Sequence, residues 1–257
     1  MQVTAQQAIR ELFNSNVGDS CLVDDFNLFD SSVGQKRWSA DHYCGQLVRL
    51  DINEFRVFPS ASDTLSAGST TPEYTVLDVV WYCRYLNLLL DGFFMNSMSV
   101  LDTLAHEIFT LYKCQTVPSN IYIANAKRML TEAHPTSKTG ELLNDRLKQG
   151  WLTEFEPFRH CTTHESLIRY DDIDFRFDHV YNRYYLSRPV RLPDNPQVRP
   201  FTYDCSRVAS EYCQSILRNV QSLVADVYDS ILLDIHTNGD VLPIPISQDW
   251  ASNALIT

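Results

Sequence analysis

The chain has 257 residues, 44% of them hydrophobic and 12% aromatic, enough to bury a large core in one domain or in one domain with an appendage. Its formal net charge of −11 argues against broad, non-specific binding to nucleic acid, because clustered Lys and Arg are what hold a phosphate backbone. The longest apolar run, around residues 86–90, is interrupted by Asn87 and Asp91, far short of the ~20 residues a membrane-spanning helix needs.

In chain order, Thr4 caps a short amphipathic helix with Ala5, Ala8, Ile9, Leu12 and Phe13 on its apolar face. Turn-forming residues recur at Asn16, Gly18, Asp24, Asp25, Ser31, Ser32 and Gly34 and predict a repeatedly broken path. Short strands are expected at residues 47–50 and 55–58, and the polar residues 60–71 read as an exposed loop and an internal boundary. Residues 1–72 are therefore expected to form an N-terminal appendage on a helical body of residues 73–236, followed by a C-terminal tail of residues 237–257.

The helical body opens with Thr71 as cap and Pro72 at the first helical position, and apolar residues recur at Val76, Leu77, Val80, Trp81, Leu88 and Leu89. The same period continues through Met95, Met98, Leu101, Leu104, Ala105, Ile108, Phe109 and Tyr112, with Gly92 as a break or bend, until Val117-Pro118 ends it. Ser119 or Asn120 is expected to cap a helix bearing Ile123, Ala126, Met129 and Leu130. Thr139 starts another with Leu142, Leu143, Leu147 and Trp151, which Pro157 either kinks or restarts.

The alternation at residues 173–177 predicts a strand that pairs with residues 180–186 as a hairpin, and the prolines of residues 189–200 predict an ordered connection. Asp204 leads a last long helix with Val208, Tyr212, Ile216, Val220, Leu223, Val227, Ile231 and Leu232, stopped by Asn238-Gly239. The fold class is mainly α: an antiparallel bundle of long helices with a small β-hairpin and an N-terminal appendage.

The N-terminus lacks the basic and apolar regions of a secretory signal, so a cytoplasmic location and packed, reduced thiols are expected for the seven cysteines, none in a CxxC pair. Eight glycines leave no phosphate-binding Gly-rich loop. Arg159, Arg169, Arg176, Arg183, Arg188, Arg191 and Arg199 share one segment but alternate with acids, which predicts a mixed-charge surface. Tyr181, Tyr184 and Tyr185 are expected to cover core in preference to stacking bases.

Chemistry concentrates in Arg159-His160-Cys161-Thr162-Thr163-His164. On a continued helix His160 and His164 share a face, and Arg159 reaches the same ligand edge from about 140° round the axis. Imidazole exchanges protons near neutral pH, while guanidinium stays charged and stabilises charge gathering on a phosphoryl oxygen. That combination can cleave RNA without a metal.

Two other readings of the same residues stay open. In one, Arg159 binds Glu156, Asp102 or Glu107 and His164 stitches two helices together, which would bury the motif. In the other, His160 and His164 are paired zinc ligands completed by Glu156, His106 or Glu107. Cys161 reads as a packed thiol.

The motif resembles that of the HEPN superfamily (higher eukaryotes and prokaryotes nucleotide-binding), in which an arginine, a polar neighbour and a histidine recur at this spacing. Residues 94–107, with Ser99-Val100-Leu101-Asp102-Thr103-Leu104-Ala105-His106-Glu107, are similar to the preceding helix of bacterial HEPN-like proteins. So are Trp151 and Leu192-Pro193-Asp194-Asn195-Pro196, and the likeness covers residues 73–236. Here histidine follows the arginine where asparagine is more usual.

The resemblance implies a metal-independent endoribonuclease without cofactors, or a nucleotide- or RNA-binding protein. Its catalytic residues would be Arg159, His160 and His164, in a cleft shared by two subunits of a homodimer. It also implies a toxin–antitoxin or anti-phage setting with an antitoxin-like protein partner. The opposed expectation is a non-catalytic helical scaffold or interaction module.

Overall fold

The computed structural model describes residues 4–51, 76–112, 121–162, 168–171, 173, 175–178 and 183–237, with backbone alone for residues 51, 76–81, 175–178 and 183–185. Seven helices dominate these residues: α1 (Ala5–Asn16), α2 (Ser20–Asp51), α3 (Val76–Leu111), α4 (Ile123–Ala133), α5 (Lys138–Arg146), α6 (Gly150–His160) and α7 (Ala209–Thr237). Two short strands, β1 (Phe175–Asp178) and β2 (Arg183–Leu186), pair antiparallel with Phe175 opposite Leu186 and Asp178 opposite Arg183. None of the described helices is long and apolar enough to cross a membrane.

The chain divides into two compact units. Unit 1 comprises Met1–Trp38, Ser97–Thr153 and Arg218–Thr257, and unit 2 comprises Ser39–Asn96 and Glu154–Leu217. Helices α2, α3, α6 and α7 each contribute to both.

The first departure from expectation is α2. Residues 47–50, expected as a strand, are the last turns of a 32-residue helix, and the turn-forming residues before them do not break it. Asp19 starts the helix by accepting the amides of Cys21 and Leu22. Asp24, Asp25 and Ser31 lie on its exposed side, while Phe26, Asp30, Val33, Ala40, Cys44, Leu47 and Leu50 form a buried stripe at steps of three, four and seven. The strand expected at residues 55–58, the boundary loop, Thr71 and Pro72 lie outside the described residues.

In unit 1, α1 and α2 form an antiparallel hairpin. The rings of Phe13 and Phe26 stack at 4.4 Å, Asn27 donates to Asn14, and Asp30 takes an ion pair from Arg10 and a 2.7 Å hydrogen bond from Gln6. Helix α2 also runs antiparallel to α3, with Phe29 against His106 and Lys36 donating to Thr103. Helix α7 runs parallel to α3, because Tyr228 reaches Glu107 and Asp234 reaches Tyr112. In this unit α3 is thus antiparallel to α2 and parallel to α7.

Further corrections concern helix starts. Helix α4 begins after Tyr122, not at Ser119 or Asn120. Helix α5 begins at Lys138, one residue before Thr139, with Ser137 capping it by accepting the Gly140 amide, and Trp151 belongs to the separate helix α6. Helix α7 begins at Ala209, after Asp204. Its buried stripe of Cys213, Ile216, Val220, Leu223, Val227 and Ile231 follows the helical period, each large aliphatic contributing roughly 1.5–3 kcal/mol.

Helix α3 passes Gly92 without a break. Leu88, expected on its apolar face, is 57% exposed, while Leu89 and Leu90 are buried. Gly92 has a different purpose: in unit 2 a Cβ there would stand 2.6 to 2.7 Å from ring atoms of Tyr43, so its absence lets α2 approach closely. Gly34 and Gly45 of α2 face open space.

Opposite outcomes are expected at these glycines in urea unfolding. Gly34→Ala and Gly45→Ala each raise stability by about 0.5–1 kcal/mol through helix propensity. Gly92→Ala lowers it, since overpacking of about 1–3 kcal/mol exceeds that gain. In a Tyr43→Ala background the same change becomes stabilising; a loss in both backgrounds would contradict the role given to the Tyr43 ring.

Candidate functional site

The motif lies in unit 2 where α6 ends. That helix buries Leu152, Phe155 and Phe158 at three-residue steps and leaves Glu154 and Glu156 exposed. Pro157 sits inside it, and its ring nitrogen has no hydrogen to donate to the Thr153 carbonyl; Thr153 is an exposed residue. The proline neither ends nor restarts the helix. Winding instead widens after His160 into a π turn at Cys161 and Thr162, where the Thr162 hydroxyl donates to the Arg159 carbonyl at 2.8 Å.

Arg159 is half-buried and His160 exposed, both in the last turn of α6. His164 and Thr163 lie outside the described residues. Regular α winding ends at His160, and the spacing of His160 and His164 lies outside the described residues.

Beneath the motif is a rigid aromatic base. Phe158 stacks on Phe94 at 5.0 Å and 12°, Phe155 joins at 5.7 Å, and the Tyr212 ring lies 5.4 Å from Phe158. Arg207 covers it: its guanidinium stands 4.8 Å over Tyr212 and 5.7 Å over Phe158, and it donates to the Pro193 carbonyl and to Glu154. Burial pushes the Tyr212 phenol well up, against the downward pull of the Arg207 charge.

The proline-bearing connection is held from within. The Asp194 carboxylate accepts the Asp204 and Cys205 amides and the Thr202 hydroxyl, and Asn195 accepts the Thr202 amide. Cys161 is buried, as a packed thiol should be, and its thiol donates to the Pro196 carbonyl at 3.2 Å, fastening the turn within the motif to this connection. Among the expected surface arginines, Arg188 and Arg191 both pair with Asp171, consistent with mixed charge. Tyr181 and the side chains of Tyr184 and Tyr185 lie outside the described residues.

Two of the residues offered as partners for the motif have other engagements. Glu107, in unit 1, is bonded to Tyr228, and His106 stacks on Phe29. Among the described residues no three His, Cys, Asp or Glu side chains gather as a metal would require. Arg207 was missed by sequence reasoning; it precedes its helix, where periodicity carries no signal.

The chain matches no family model, no curated protein and no solved structure.

Proposed function

We propose that the chain is a HEPN-like protein whose Arg159, His160 and His164 cut RNA without a metal. What carries this reading is solvent reach: His160 is exposed and Arg159 half-buried at the end of α6, whereas a motif that stitched the core together would be sealed. The aromatic base and the Cys161–Pro196 bond support it further, since a site is useful only when its groups are held still.

In this chemistry an imidazole takes the proton of a ribose 2′-hydroxyl and the oxygen attacks the adjacent phosphorus. The bond to the 5′-oxygen breaks, and that oxygen receives a proton from a second imidazole. Arg159 stabilises the phosphorane between these steps. The products are a 2′,3′-cyclic phosphate and a 5′-hydroxyl. A second subunit would complete the cleft, and an antitoxin-like protein is the partner this reading brings with it.

Purified protein is expected to cut single-stranded RNA in EDTA and leave cyclic phosphate ends. His164→Ala should slow the cut by about 10²–10⁴-fold. Equal cutting by that variant would contradict the site, and a requirement for added divalent ion would contradict the metal-free route.

A further inference from the structure

Among the described residues, one carboxyl of unit 1 has no cation of its own. Glu107 of α3 is fully buried; Tyr228 of α7 donates to its Oε2 at 2.7 Å, and its Oε1 has no hydrogen-bond partner. The charges bearing on it come from the α1–α2 hairpin: Asp30 of α2, itself buried, and Arg10 of α1, already committed to Asp30. From α2, Arg37 faces Tyr228, and Lys36 donates to Thr103 and bears on neighbouring His106.

A carboxylate in this place would have one hydrogen bond, a bare oxygen and a like charge beside it, so the neutral acid is the form that fits. Burial first, and then Asp30, push the group up to about 8, against the pull of Tyr228 and Arg10.

We propose that Glu107 is a proton-operated latch: carrying its proton it seats α1 and the first half of α2 on α3 and α7, and losing the proton releases them. Release falls on the α1–α2 hairpin because that element carries Asp30, the like charge, whose push on Glu107 exceeds the pull of Arg10. Ionised Glu107 and Asp30 would compete for Arg10, and lifting the hairpin separates the two carboxylates and wets the bare oxygen. Helix α7 is the less easily moved partner, since Asp234 ties it to Tyr112, Ser137 and the start of α5.

The sign follows from linkage. The folded state holds a proton that the unfolded chain gives up near the ordinary Glu value, so stability falls as pH rises from about 4.5 to about 8. Glu107→Gln keeps the neutral shape and removes the titration. The melting temperature of the variant should match wild type near pH 5 and exceed it by several degrees at pH 8. Hydrogen exchange, corrected for intrinsic rates, should show α1 and residues 20–38 losing protection at least ~10-fold between pH 6 and pH 8.5 in wild type, with no loss in the variant.

A pH-independent gap between the two melting curves would overturn the proposal. So would loss of protection spread evenly over the chain. Tyr228→Phe provides a second reading if the glutamine variant fails to fold. Removing the phenol's hydrogen bond disfavours the ionised form, so the midpoint of the wild-type transition should move to higher pH, and an unmoved midpoint would overturn the latch.

Discussion

Asp234→Ala is expected to lower stability by about 3–5 kcal/mol in urea unfolding, with an unchanged slope against denaturant. Asp234 is fully buried on α7 and accepts from the hydroxyls of Tyr112 and Ser137 and the amides of Lys138 and Thr139. One carboxylate thus joins α3, the start of α5 and α7, and sits against the positive end of the α5 dipole. Truncation leaves two hydroxyls and two amides seeking partners in a dry place.

Burial alone would push the Asp234 carboxyl up; the hydroxyls of Tyr112 and Ser137 and the two amides outweigh it and hold the group below the usual carboxylate range. A depressed folded value contributes stability that is present above the unfolded pKa and lost as pH falls through the folded one. Wild type should therefore show an acid-side loss below about pH 4 that Asp234→Asn lacks. A loss of under 1 kcal/mol in the alanine variant would show that the network carries little of the fold.

Phe158→Ala is expected to cost about 3–5 kcal/mol, because the ring is fully buried between Phe94 and Tyr212 and its removal opens a cavity under the end of α6. Phe158→Leu should cost about 1–2 kcal/mol, since part of the volume remains. The cavity lies one residue from Arg159, so under the proposed function RNA cleavage should fall more steeply than the folded fraction does. A cleavage rate that only tracks the folded fraction would show that the aromatic base does not position the motif.

Two of the buried acids of unit 1, Asp234 and Glu107, are pushed in opposite directions. Asp234 has four donors and Glu107 one. Neither count can be read from sequence, because the donors come from segments about one hundred residues away.

Helices α3 and α7 were legible because long runs of Leu, Ile, Val and Phe at helical spacing show the period letter by letter, even though α3 also buries Glu107 and α7 Asp234. Helix α2 was not. Its buried positions are widely spaced among Asp, Ser and Gly that read as turns when the stripe goes unrecognised. The strand expected at residues 47–50 was the consequence, since a short apolar run has no periodicity to separate strand from helix end. Gly92 looked like a break because intrinsic propensity was weighed without the Tyr43 ring, a tertiary neighbour on another helix.

At the candidate site, Arg159, His160 and the buried thiol of Cys161 were visible from residue type and spacing. The widening of the helix after His160 was not, and neither was Arg207, whose contacts with Glu154, Phe158, Pro193 and Tyr212 are made only once the chain has folded.

That Arg159 and His164 act on RNA, and do not merely tie helices together, is tested most directly by measuring cleavage rate in EDTA and melting temperature on the same samples of wild type, Arg159→Ala and His164→Ala. Each variant should lose at least about 100-fold in rate while melting within about 2 °C of wild type. Wild-type cleavage by either variant, or melting temperatures that fall in step with the rates, would contradict it.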